Sequence, residues 1–426
     1  MNELSTKIAL VVDNGNYPHV ATKLAESFGG VFYWVPWITN AYPSSTLRNI
    51  GCGLPGVTRT YSWLSVLKEV DLVVCPDVYS FDVVEHCREL GKPVWGAGRA
   101  EMLELERWKT KLLLRELDMP VVPAILIEGV DDLREYLEDP ANTDRYIKTS
   151  ITRGDFETFH HVNWHLTEDW LKDLSHRLGP RDQHIEFVVE EPIRGIEIGY
   201  DGFNILGQFP HTASYGYEIK DAGYIGRVAR QDELPEALRS TNSAIAGDLG
   251  RLGCRGFYSS EVRIGEDRTA YLIDPTMRCG SPPSESYIEL FTNWPEVIWA
   301  GAHGELVDLE PVAKFSAQIV LKSDWLVREK FLPVTFPAEL APWIKLHDAC
   351  NIDGQWYVVP VPTFLPGTIY PEFGAVVGLG DTVEEAIEAA KGRVEQIECL
   401  ELRWSEDVFD AAMKAIDEGR ELGVEF

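Results

Sequence analysis

Between Phe257 and Tyr287 the chain reads FYSSEVRIGEDRTAYLIDPTMRCGSPPSESY. Two β-type runs flank a turn at Gly265 to Asp267, which predicts an antiparallel hairpin with Glu261 in its first strand and Ala270 to Asp274 as its second. Side chains alternate along a strand, so pairing across this turn directs Glu261 and Asp274 to one face, with Thr276 two positions further on. Two carboxylates and a hydroxyl at one point suit a hard cation, which takes oxygen ligands and commonly arrives with phosphate. Arg278 follows at once, and a guanidinium there suits a carboxylate or a phosphoryl group in transfer. A sheet edge with ordinary turn acids is the plainer reading of the same residues.

Composition narrows the setting. A chain of 426 residues has material for about three domains at roughly 150 residues each. It contains no apolar run of membrane-spanning length and no basic-then-apolar leader, so a cytoplasmic protein is expected. The seven cysteines form no CxxC or Cys/His cluster and are expected as free thiols. The formal net charge of −29 argues against nucleic acid and anionic membrane as partners. An anionic nucleotide would need a local group of cations.

Lys7 to Asp13, KIALVVD, is a short apolar run that Asn14-Gly15-Asn16 turns into an amphipathic helix reaching Phe28. Val31 to Trp37, Val70 to Cys75 and Pro93 to Ala97 repeat the strand pattern, and Ser80 opens a helix between the last two. Strands alternating with helices predict a parallel, doubly wound sheet of roughly a hundred residues. The Asn14-Gly15-Asn16 turn lacks the three spaced glycines of a dinucleotide site and reads best as a plain βα turn.

Glu101 to Asp118 predicts one helix with Leu103, Leu112 and Leu113 on its apolar side and Lys109 and Lys111 among its charges. Pro120 and Pro123 end it. Lys148 lies in the strand Tyr146 to Ser150, an apolar context in which a charge needs a partner or a ligand. Arg153 and Gly154, in the following loop, are placed to cover a polyphosphate. In the strand Ile185 to Glu191, Pro192 removes a backbone N–H and leaves the Glu190 carbonyl and the Ile193 N–H to read an adenine edge. Glu197 is then placed for ribose hydroxyls, although a kinked strand with acids explains these residues equally. Tyr215 to Arg227, rich in Gly and Tyr and carrying Lys220, is expected to be a mobile loop. Gly304 marks a boundary, and a final α+β part includes a capping box at Thr382 and Glu385.

Taken in order, these residues resemble the ATP-grasp superfamily over most of the chain. The resemblance implies Lys109 and Lys148 as phosphate-binding lysines, Arg153 in the lid, Glu190 and Ile193 at the adenine and Glu197 at the ribose. It further implies Lys220 on a loop closing over the γ-phosphate, Glu261, Asp274 and Thr276 as metal ligands, and Arg278 steadying an acyl phosphate. The layout, with AVVGLGDTVEEAIEAA near the end, is similar to that of the phosphoribosylamine-glycine ligase family. Its expected divisions are a Rossmann-like domain at 1–105, an ATP-grasp core at 106–304 with a lid at about 121–186, and a small α+β domain at 305–426, so the fold class is α/β with α+β. Thr276 stands where the superfamily usually has Asn, and Asn14-Gly15-Asn16-Tyr17-Pro18-His19 stands where that ligase family has a Gly-rich turn and Arg-Glu-His.

The implied function is an ATP-dependent, ADP-forming carboxylate-amine ligase using Mg²⁺, with Mn²⁺ as a substitute. Its partners are a small carboxylate and an amine, and it would be a monomer or homodimer. The substrate site is expected to draw on Asn14, Asn16, His19, Tyr224 and Arg227. A nucleotide-binding regulator or scaffold without turnover is the alternative, and an ATP-grasp carboxylase or kinase is a third.

Overall fold

The computed structural model describes residues 3–36, 47–149, 158–328, 330–361 and 371–426. Its first layer is a five-stranded parallel sheet, ordered Val57–Arg59, Gly30–Trp34, Ile8–Val12, Leu72–Val74, Val94–Trp95. The KIALVVD run is continuously apolar because both faces of its strand are covered. Ala9 and Val11 pack with Tyr17, Val20 and Leu24, while Leu10 and Val12 pack with Val84 and Cys87. The strand order reverses between Ile8–Val12 and Leu72–Val74, so the loops leaving their carboxyl ends open a crevice there. Asn14 and Asn16 lie in one of those loops and Asp77 in the other.

A small unit follows, with its own core. Its sheet is ordered Ala124–Glu128, Glu186–Glu190, Arg145–Thr149, Thr158–His161. The helices Val130–Glu138 and Trp164–Leu178 bury Leu133, Leu137, Leu171 and Leu174 against Ile147, Phe187 and Val189.

The largest sheet is antiparallel along Ala270–Thr276, Arg255–Gly265, Gly195–Ile205, Thr212–Ile219 and Gly223–Arg230. It continues without interruption through Phe315–Ser323, Glu372–Gly380 and Ile344–Leu346. Gly304 therefore does not separate one sheet from another. A further small sheet holds Ala349–Ile352, Gln355–Val358, Leu332–Thr335 and Glu398–Cys399. The expected capping box at Thr382 and Glu385 is present at the start of the helix Val383–Val394. Among the described residues no helix is long and apolar enough to cross a membrane.

Two local expectations fail. The stretch 101–118 is two helices, Met102–Leu105 and Arg107–Glu116, because Glu106 leaves helical geometry (φ −98°, ψ 65°). The break turns the second helix so that Arg107, Thr110, Lys111 and Leu114, spaced for one helical face, are buried. Tyr215 to Arg227 is not a loop but most of a paired hairpin, Thr212–Ile219 with Gly223–Arg230. Its glycines suggest mobility only when the alternation is overlooked: Tyr215 and Tyr217 are buried on one face of the sheet, and Gly216 and Tyr224 line a cleft on the other.

Candidate active site

The parallel-sheet crevice, the small α+β unit and the open face of the antiparallel sheet enclose a cleft of about 980 Å³. Strand register decides what lines it. Glu261 stands directly opposite Asp274, and Ser259 opposite Thr276. On the other side Gly199 faces Glu261, Asp201 faces Ser259, and Glu197 faces Arg263. In an antiparallel pair, directly opposed residues share a face, so these side chains all rise from the cleft floor. A bulge between Glu261 and Val262 locally re-aims the first strand.

One end of this floor is a buried charge network. Lys148 Nζ is 3.1 Å from Asp274 Oδ2 and 3.6 Å from Glu190 Oε2, while Lys111 Nζ is 2.7 Å from Glu190 Oε1. Arg107 Nε lies 3.7 Å from Asp274 Oδ1, and its Nη1 donates to the Thr149 carbonyl at 2.6 Å. Burial disfavours the Lys148 charge, but Asp274 and Glu190 more than compensate and hold it above the ordinary lysine range. Three cations thus share two carboxylates, and the surplus suits an anion.

Next to it, Glu197 accepts from Arg263 at 2.7 and 3.2 Å, and Arg263 also donates to the Ile193 carbonyl at 3.3 Å. Glu190, Ile193, Glu197, Lys220, Glu261, Asp274, Thr276 and Arg278 all line the cleft. The Tyr224 hydroxyl also lies there but is bonded at 2.5 Å to Asp201 Oδ2, whose acid burial pushes up to about 6.

At the opposite end Arg278 is clamped from behind. Its Nε donates to Glu104 Oε1 at 2.8 Å and its Nη1 to the Tyr17 hydroxyl at 2.9 Å. Glu104 has no exposed side-chain surface and also accepts from the Met277 N–H. Burial works against the Arg278 charge, yet Tyr17, Glu104 and Asp77 together hold it above the ordinary arginine range. Asn14 and Asn16 donate to Asp77 Oδ2 at 3.2 and 3.4 Å, and Asn16 reaches the cleft lining. Gly15 between them has φ +109°, and a Cβ there would sit 2.0 Å from Asp348 Oδ1. Only glycine allows that approach without strain.

Three of the expected positions lie elsewhere. Lys109 points outward, its side chain 67% exposed and paired with Glu106, because two residues along a helix is more than half a turn; Lys111 holds the inward position. Arg227 is one residue out of phase with Tyr224, so it lies across the sheet, donating to the Tyr215 hydroxyl at 3.4 Å and the Glu425 carbonyl at 3.3 Å. His19 is buried against Tyr17 with both ring nitrogens lacking a hydrogen-bond partner, and burial lowers it to about 3, so it is a neutral core histidine. Arg153 lies outside the described residues.

Other site residues did not stand out in the sequence. Arg107 and Lys111 carried a signal in their spacing with Leu114, and Asp201 in its same-face spacing from Glu197. Glu104 carried none, since its partners are far along the chain.

No protein-family model matches the chain, and no curated protein matches its sequence. Solved structures do match. Phosphoribosylamine-glycine ligase from Thermotoga maritima superposes with a TM-score of 0.69 at 17% identity, over 94% of this chain and 99% of that one. The biotin carboxylase domain of the Hydrogenobacter thermophilus 2-oxoglutarate carboxylase, crystallised with MgADP and bicarbonate, gives 0.66 at 12% identity over 98% of both chains. L-amino acid ligase from Bacillus licheniformis gives 0.60 at 15% identity, over 95% of this chain and all of that one. This chain has the ATP-grasp fold.

Among the described residues no group of three or more His, Cys, Asp or Glu is arranged to hold a metal ion. Glu261 and Asp274 supply hard oxygen donors side by side, with Thr276 on the same face. That set fits Mg²⁺ when phosphate oxygens and water complete its shell, the usual arrangement at nucleotide sites.

Proposed function

We propose that this ATP-grasp chain is an ATP-dependent, ADP-forming ligase that joins a small carboxylate to an amine through an acyl phosphate. Residues 106–304 form its catalytic core, with a lid at about 121–186. One observation carries the reading: Glu261 and Asp274 are cross-strand partners on the cleft floor, at the buried Lys148. The structural neighbours, two of which are by name an amine ligase and an amino acid ligase, support the same class.

A carboxylate resists an amine because its charge is delocalised and oxide is a poor leaving group, and phosphorylation removes both obstacles. Lys148 and Lys111, rather than Lys109, bring positive charge to the phosphates from the network they share with Glu190. Lys220, exposed at the cleft lining, adds a third cation. A magnesium ion held by Glu261 and Asp274 would neutralise charge on the β- and γ-phosphates. The Glu190 to Ile193 segment and Glu197 are placed for the adenine and the ribose. Arg278, rigidly held by Glu104 and Tyr17, orients the substrate carboxylate and then its phosphorylated form. Carboxylates outnumber cations around the cleft lining, which favours a cationic amine as the second substrate.

The test is ADP release on mixing the protein with Mg²⁺, ATP and a panel of L-amino acids and simple amines. Substrate-dependent ADP is expected. Tight ATP binding with no ADP from any mixture overturns the ligase reading in favour of a nucleotide-binding regulator or scaffold. That second reading has an observation of its own: Asp274 is engaged by Lys148 and Arg107, and these pairs must loosen before it can serve a metal.

A further inference from the structure

Beyond Arg278 the chain passes Ser281 and enters the short helix Ser284–Leu290, where Glu285 is completely buried. Its carboxylate accepts from Ser281 Oγ at 2.5 Å, from Gln318 Nε2 at 2.9 Å and from His347 Nε2 at 2.8 Å. The first two belong to the Arg278 loop and the antiparallel sheet. His347 comes from a distant segment, between the strands Ile344–Leu346 and Ala349–Ile352, and its ring lines the cleft together with Arg278 and Ser281. A carboxylate thus fixes one ring nitrogen of a histidine that borders the cleft within one hydrogen-bond relay of the loop after Arg278.

We propose that His347, oriented by Glu285, accepts the proton that the amine substrate must lose before it attacks the acyl phosphate. This rests on the ligase reading above. The amine arrives as an ammonium ion, which has no lone pair to donate. Transfer of one proton to the neutral His347 ring frees that pair, and the nitrogen forms its bond to the acyl carbon. The carbon–oxygen bond to phosphate then breaks, the electron pair leaving with phosphate. The second nitrogen proton goes to the departing phosphate, giving amide and hydrogen phosphate, and His347 returns its proton to water through the open cleft.

The surroundings suit that task. Glu285 from its helix, Glu372 from the adjoining strand and Asp348 beside the ring all favour the protonated form, and together they raise His347 to about 8 against the opposing effect of burial. Glu285 is itself held down to about 2 despite burial, chiefly by His347. Behind it, His19 is neutral, Lys345 is paired with Glu289, and Asp13 bears on Asp348. A base near 8 is a stronger proton acceptor than an ordinary imidazole, which narrows the gap to the more basic amine. Asp348 and Glu372, on the cleft wall, give the incoming ammonium a favourable approach.

Hydroxylamine separates this step from the one before it, because it is already unprotonated at neutral pH and attacks an acyl phosphate without a base. Each of the twenty L-amino acids, with Mg²⁺ and ATP, is assayed for hydroxamate with hydroxylamine and for amide with a second amino acid. His347→Asn should lower amide formation about 100-fold, abolish its rise through pH 8, and change hydroxamate formation less than about twofold. Equal losses in both assays, or no loss in either, would overturn the role of His347 and leave the ligase reading standing. A wild-type protein that makes no hydroxamate overturns the ligase reading, and the proton acceptor falls with it. Histidine NMR provides a substrate-free measure. The resonance missing in His347→Asn should titrate near 8 in the wild type and return toward 6.5 in Glu285→Gln; an ordinary value in both proteins refutes the dyad.

Discussion

The two ends of the cleft are built in different ways. At the Lys148 end, Arg107, Lys111, Lys148, Glu190 and Asp274 form a set of buried ion pairs in which three cations share two carboxylates. At the Arg278 end the groups come from five separated parts of the chain: the 14–17 turn, Asp77, Glu104, the 278–285 segment and the His347–Asp348 loop. The first is a compact network of direct ion pairs with one cation in excess. The second is held by hydrogen bonds to Glu104, Tyr17 and Glu285, and its acids have perturbed affinities for protons. Charge balance there depends on pH, whereas at the Lys148 end an arriving anion would answer the cation in excess.

The sharpest way to break this contrast is Lys148→Ala. It strips a shared partner from Asp274 and Glu190, and loss of one member of a buried pair costs about 3–5 kcal/mol. ADP formation should be abolished and chemical denaturation should show the lost stability; full activity would refute the site. Glu261→Gln, a change of charge with little change of shape, should also end turnover while leaving the denaturation midpoint near that of the wild type. A smaller effect is expected at the other end from Gly15→Ala. A positive φ and the clash with Asp348 Oδ1 together cost about 1–3 kcal/mol, and the amine-dependent step should suffer more than hydroxamate formation.

The pH dependence of stability should come mainly from the crevice and the Arg278 end. Burial raises Asp13 to about 6 and Asp348 to about 7 from an unfolded value of 3.8, so the folded state binds protons that the unfolded chain releases, and stability falls as pH rises through those values. His347, raised from 6.5 to about 8, contributes fully below 6.5 and loses its contribution as pH passes 8. Glu285, lowered from 4.5 to about 2, acts in the opposite sense: its contribution is present above 4.5 and is lost as pH falls through about 2. Melting temperature should therefore be highest near about pH 4 and decline toward 9, and His347→Asn should flatten the upper part of the slope. The smallest effect belongs to Lys109→Ala, which should leave turnover and melting temperature unchanged. Lys111→Met should weaken ATP binding, and the reverse outcome would restore Lys109 to the phosphates.

Legibility in the sequence follows the same division. The Glu261 and Asp274 pairing could be read because both lie on one hairpin, where strand alternation and a short turn leave little freedom of register. Lys148 was legible because a charge in an apolar strand must be answered. Errors came where phase mattered: Lys109 against Lys111 on opposite sides of the helix that follows the break at Glu106, and Arg227 against Tyr224 on opposite faces of a sheet. Local propensity does not specify which face is turned inward. His19 looked like a ligand for its place in a turn, yet packing sealed it into the core.

The sequence alone therefore determined the local units, namely alternating strands and helices at the start, the carboxylate hairpin and the capped helix near the end, because these depend on periodicity and short turns. Tertiary structure alone decided that Glu104 would clamp Arg278 and that Glu285 would meet His347. Those pairs are separated by long stretches of chain, and their contact exists only because the sheets, once packed, bring the segments to the same cleft.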